Sequence, residues 1–265
     1  MLPSGIEALY RGDSTMTNTS MGAPQVAKAE IRIDDVLRRS YEILEKNFST
    51  FAVLAAIASL PFLIVGLQFA GQTKEEIQGH LFGLFIVGVL AFVVSSLGYI
   101  AIIDAGFRIA QGRPAPVGES LQRSFRRLPA LIGLTVCLGI PLVIGFVLFV
   151  IPGLFVLTIF SVAMQACVVE SLGPIDSMER SFLLTKGHRW KIFGIMALIG
   201  IAGVVASAVL AAVAKLGGAV AHDVIAVVWN VLFGAFCDIV VVVLYRDLRM
   251  IKEGGVSLSV PASPN

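Results

Sequence analysis

Residues 128–169 run for 42 positions without a charged side chain, and that run constrains the fold more than any other feature. Backbone polar groups in lipid must be satisfied within the chain, so an apolar stretch this long forms helices that cross a bilayer. About 20 residues at 1.5 Å each span the hydrocarbon core, so the run holds two helices rather than one. The tripeptide Ile151-Pro152-Gly153 supplies the expected break, because proline and glycine together punctuate helices. Four further apolar runs bring the count to six, at 51–70, 81–103, 130–150, 154–169, 192–214 and 224–245. The expected fold is therefore all-α, a polytopic membrane bundle of six transmembrane helices.

Composition agrees. Hydrophobic residues make up 57% of the 265, and charged ones only 14%, against about 25% in soluble domains. A net charge of +2 argues against nucleic acid as a partner. Cys137, Cys167 and Cys237 all lie in apolar runs with no zinc-type or disulfide-type spacing, which suits buried thiols.

Lysine and arginine set the orientation, since cytoplasmic segments near a membrane carry the excess. With six spans, 18 of the 20 basic residues share one side, and Lys74 and Lys215 alone fall on the other. Both termini are then cytoplasmic. Residues 1–29 have no apolar core of signal-peptide length and are expected to be a disordered tail, as are residues 251–265. Met1, Met16 and Met21 are all admissible start sites.

Three basic segments share a triplet: Arg39-Ser40-Tyr41, Arg123-Ser124-Phe125 and Arg180-Ser181-Phe182. Each precedes two spans. Pro61 follows Ser40 by 21 residues and Pro141 follows Ser124 by 17, while the third copy has Ala202 in that place. The pattern predicts a threefold internal repeat, with units near 31–105, 114–170 and 174–245, each an amphipathic interfacial helix followed by a hairpin. In the first helix Ile33, Val36, Leu37, Tyr41 and Leu44 share the apolar face; Val117, Leu121, Phe125 and Leu128 do so in the second. Met178, Phe182 and Leu183 form the third such face, behind a capping-box-like start at Asp176 and Glu179. Such helices lie in the interface with their arginines toward lipid phosphates.

Ionisable groups at membrane depth are costly and mark structure or function. Asp104 and Glu170 end their spans, whereas Asp238 sits about 10 Å inside the sixth. One expectation pairs these acids with Arg39, Arg123 and Arg180, pinning interfacial helix to hairpin. The other makes Asp238 a proton- or cation-handling group, with Trp229 and Asn230 along the same path. Small residues at Gly203, Ser207 and Ala211, and at Gly133, Cys137, Pro141 and Gly145, suit close helix packing. His80, His188 and His222 lie in loops without a nucleophile nearby, and no catalytic or phosphate-cradling motif occurs. Neither an enzyme nor a cofactor is expected.

Ile151-Pro152-Gly153 and the stretch V-V-E-S-L-G-P-I-D-S-M-E-R-S-F-L-L-T-K-G-H-R-W-K-I-F (168–193) carry a resemblance. The chain, over roughly residues 30–250, resembles the membrane domain attached to some bacterial glycerophosphoryl diester phosphodiesterases. It is also similar to related stand-alone six-span inner-membrane proteins of unknown function. Glu170, Gly173, Arg180, Ser181, Lys186, Gly187 and Trp190 are the most specific matching positions. The resemblance implies a multi-pass protein of the bacterial plasma membrane, without phosphodiesterase activity, because hydrolysis in such enzymes belongs to a separate soluble domain.

Two functions from different classes follow. The first is a non-enzymatic structural or accessory protein that binds membrane lipids or another membrane protein. The second is a small transporter, channel or lipid-moving protein with a polar cavity near Asp238.

Overall fold

The computed structural model describes residues 31–69, 81–214 and 219–254; both expected tails, 1–29 and the part of 251–265 after Gly254, lie outside the described residues. Among these residues the helices are α1 (Ile33–Lys46), α2 (Phe48–Phe69), α3 (Leu81–Ala110), α4 (Val117–Leu148), α5 (Val150–Ile159), α6 (Ala163–Val169), α7 (Pro174–Thr185), α8 (Arg189–Ala214) and α9 (Ala219–Glu253). Among the described residues six segments are long and apolar enough to cross a membrane: α2, α3, α4, α5 together with α6, α8 and α9. Their outward side chains are large and apolar. Phe82, Phe85, Val147, Ile151 and Val204 are each more than two-thirds exposed, which water would not tolerate over so wide a surface and lipid does. The chain is a multi-pass membrane protein.

The bundle is organised around α9, which packs against α1, α2, α3, α6, α7 and α8. Its Ile239, Leu244, Tyr245 and Leu248 are fully buried and join Phe51, Leu54, Ile100, Ile103 and Ile192 in one core. The remaining hairpin contacts are α2 with α3, α4 with α5, and α3 with α4. The ends of α3, α6 and α9 and the starts of α2 and α8 gather at the basic end of the bundle, with α1 and α7.

Three expectations change here. The break in the long uncharged run falls at Phe149, whose backbone is extended (φ −169°), and not at Ile151-Pro152-Gly153. Pro152 instead occupies the third position of α5, where a helix needs no N–H from it. Gly153 serves the close return of α5 on α4: a Cβ on Gly145 would stand 3.0 Å from the Gly153 Cα, and one on Gly153 2.6 Å from the Phe146 ring. Secondly, the second basic amphipathic segment is not a separate helix, because it runs through Pro129 into the third span as one 32-residue helix. Thirdly, the apolar face expected of α1 turns only in part toward the protein. Val36 and Ser40 are fully buried and Leu37, Ile43 and Leu44 partly so, while Ile33 and Tyr41 point outward, the latter 59% exposed.

The fourth span is itself interrupted, between Ile159 and Ala163. Its freed Ile159 carbonyl accepts hydrogen bonds from Ser181 Oγ (2.8 Å) and Thr185 Oγ1 (3.2 Å) of α7. A broken helix at membrane depth persists only where neighbours satisfy the released groups, and α7 does so here. At the far end, α9 continues as helix to Glu253, so residues 251–253 are not tail.

Candidate functional site

The three triplets place like residues in like surroundings. Ser40, Ser124 and Ser181 are all fully buried, and Tyr41, Phe125 and Phe182 all face outward. Ser40 and Ser124 donate to the carbonyl four residues back, at 2.8 Å each, while Ser181 crosses to Ile159. Each arginine reaches a carboxylate.

Arg123 Nη1 stands 3.9 Å from Asp104 Oδ1, and Glu119 bridges Arg123 (3.6 Å) and Arg108 (3.1 Å). Glu170 accepts from Arg180 Nε at 2.9 and 3.0 Å and from Arg180 Nη2 at 3.0 Å. Both pairings match the expectation that Arg123 and Arg180 hold the acids ending the second and fourth spans. The third differs. Arg39 pairs with Asp247 and not with Asp238: Arg39 Nη1 donates to Asp247 Oδ1 at 2.9 Å and Nη2 to the other oxygen, a two-pronged contact. Asp247 lies nine positions after Asp238 on α9 and is the one level with α1.

The network around Glu170 is larger than the sequence suggested. Tyr245 donates its hydroxyl to Glu170, Arg180 also contacts Glu253, and Arg249 Nε lies 2.8 Å from Glu253 and 3.8 Å from Glu170. Two arginines thus meet two carboxylates in one neutral cluster. Burial alone would lower the Arg180 pKa, but its bonds to Glu170 and Glu253 outweigh that and raise it. For Arg39 the hydrogen bond to Asp247 is the largest effect, and it too raises the pKa. Both guanidinium groups stay charged.

Asp238 has no hydrogen bond or ion pair among the described residues; it faces Tyr99 of α3, which also faces Gln165 of α6. Gln165 Oε1 and Ser95 Oγ are buried without partners. Next to them a cavity of about 350 Å³ opens between α2, α3, α4 and α6, with Ser95, Ser96, Tyr99 and Thr135 among its walls. Trp229 and Asn230 do not share that path. Trp229 Nε1 donates to Ser207 Oγ of α8 at 2.8 Å and its ring stacks on Phe233, while Asn230 bonds its own helix at Ala226.

Asp247, Tyr245, Arg249 and Glu253 are site residues that sequence reasoning missed. Arg249 and Glu253 stand four apart on a helix, a signal that an expected tail starting at 251 hid. Arg189, at the head of α8, was likewise missed; its guanidinium lies over the rings of Phe182 (4.6 Å) and Phe155 (5.6 Å). Cys137, Cys167 and Cys237 are free thiols. Among the described residues no group of His, Cys, Asp and Glu is arranged to hold a metal ion.

Residues 81–248 match a protein family described as a domain of unknown function, DUF7847. No curated protein and no solved structure matches the chain.

Proposed function

Since the chain belongs to the DUF7847 family, whose description carries no activity, we propose a function from the geometry: a non-enzymatic structural or accessory protein of the bacterial inner membrane that binds lipid or a membrane partner. The observation that carries this reading is the mutual pairing of Arg39, Arg123 and Arg180 with Asp247, Asp104 and Glu170. Charges spent on one another at helix ends hold a bundle together and leave little free for chemistry. Read as three units, each arginine takes the carboxylate at the end of the preceding hairpin, and the first closes on the last. That cyclic order supports the threefold repeat. The crowding of basic residues at this end supports placing it, and both termini, in the cytoplasm.

Mild-detergent extraction from native membranes, with mass spectrometry of whatever stays bound, tests the reading. A stoichiometric protein partner or one enriched lipid class is expected; a bare protein that carries solute flux in vesicles would overturn it. For orientation, a cysteine placed at position 74 should react with a membrane-impermeant thiol reagent in intact cells. Reaction only after the cells are opened would reverse the topology.

Asp238 favours a second reading, that of a small transporter or channel. An acid within a span with no partner among the described residues, facing Tyr99 at the wall of a largely apolar cavity that also carries Ser95, Ser96 and Thr135, is a candidate for a proton or cation path. Asp238→Asn should then abolish flux while the protein still folds.

A further inference from the structure

The lipid-binding half of this function has a definite place to act. α1 ends at Lys46 and α2 begins at Phe48, beside the last turn of α3 and the Val243–Arg246 turn of α9. Between these elements lies a cavity of about 250 Å³. Ile43, Ile109 and Val243 form its apolar part, and Lys46 and Arg246 supply charge.

The charge there is not balanced. Arg39 also lines the cavity, but both its terminal nitrogens are bound to Asp247. Glu42 is the acid in the lining, and Arg38 already stands 3.6 Å from it. Among the described residues no carboxylate pairs with Lys46 or Arg246, and Arg246 Nε is buried with no acceptor. A buried guanidinium N–H without an acceptor is costly, and an anion bound there removes the cost. The cavity also adjoins the ends of two membrane-crossing segments, 48–66 and 82–110, the level at which a phospholipid carries its phosphate. A soluble anion would not need the apolar wall beneath.

We propose that this cavity binds the phosphate of an anionic glycerophospholipid between Lys46 and Arg246, with the lipid's first acyl carbons against Ile43, Ile109 and Val243. The inference rests on the lipid-binding reading above and narrows it to a headgroup class and a position.

Native mass spectrometry of the full-length protein in mild detergent tests it, with phosphatidylglycerol or phosphatidylcholine titrated in. Lys46→Gln, Arg246→Gln and the double variant are compared with Arg126→Gln, an exposed basic residue outside the cavity. Phosphatidylglycerol should bind the unaltered protein about tenfold more tightly than phosphatidylcholine. The double variant should lose about that tenfold, the worth of one charge-assisted contact, and Arg126→Gln should not. Equal binding by cavity variants and unaltered protein would overturn the site while lipid binding itself stood. Equal affinity of the unaltered protein for the two lipids would overturn the anionic headgroup site, and binding of neither would overturn the lipid-binding reading with it. Displacement of the lipid by millimolar inorganic phosphate would make the site one for soluble phosphate, also against the proposal. Should Arg246→Gln fail to fold, Lys46→Gln, at an exposed position, decides the question alone.

Discussion

Asp247 stands between two arginines in Arg246-Asp247-Leu248-Arg249, a stretch that as a sequence looks like a solvated helix end. Folded, it is 6% exposed and depends on Arg39. Arg39→Gln should therefore lower stability by about 2 kcal/mol, because it strands a buried carboxylate. Arg38→Gln, which loosens only the exposed pair with Glu42, should change little; thermal unfolding in detergent measures both. His188 offers a pH test. Burial, then Lys252 and Lys191, lower its pKa from 6.5, and its Nδ1 is buried without a partner. The folded state thus prefers the neutral ring, so stability should be level above pH 6.5 and fall as pH drops through the lowered pKa. His188→Gln should flatten that fall. Asp104 and Glu170 could be found from the chain alone, because each ends a long uncharged run. Asp247 could not, because its neighbours carry charge and its partner lies in another helix; the conspicuous intramembrane Asp238 drew the pairing instead.

Whole helices were more fully legible than residue pairs. Six spans follow from the length of apolar runs, since lipid leaves the backbone no alternative. Which face of a helix is buried did not follow, because lipid and protein core are equally apolar to a sequence pattern. Tyr41, Phe125 and Phe182 were placed with Val36, Leu121 and Met178 on single apolar faces, yet they point outward from the protein. Small residues tell more. A Cβ on Gly98 would stand 2.7 Å from the backbone of Ala58, so Gly98→Ala should force α2 and α3 apart and cost about 1–3 kcal/mol. Gly200→Ala, with nothing within 4 Å, should be neutral or slightly stabilising in the same unfolding assay. The interrupted fourth span makes a separate prediction. Ser181→Ala with Thr185→Val removes both donors to the Ile159 carbonyl, which should cost about 1–3 kcal/mol, more than either change alone.

Over the whole molecule, α1 packs against α9 although the two lie near opposite ends of the described chain, and the Arg39–Asp247 pair is the polar part of that contact. Exchanging its charges tests this directly. Arg39→Asp and Asp247→Arg should each reduce the monodisperse protein recovered by size-exclusion chromatography, and the double exchange should restore much of it.

These two residues lie 208 positions apart in the chain. At about 5–20 residues per second, a ribosome takes roughly 10–40 s to travel between them. For that interval α1 exists without its counter-ion, and only the arrival of the last helix supplies one. A nascent chain that stalls before α9 lacks Asp247 permanently, and Arg39 keeps only its bond to the Asp35 carbonyl within α1. The same contact that shuts the bundle therefore also distinguishes a finished chain from an unfinished one.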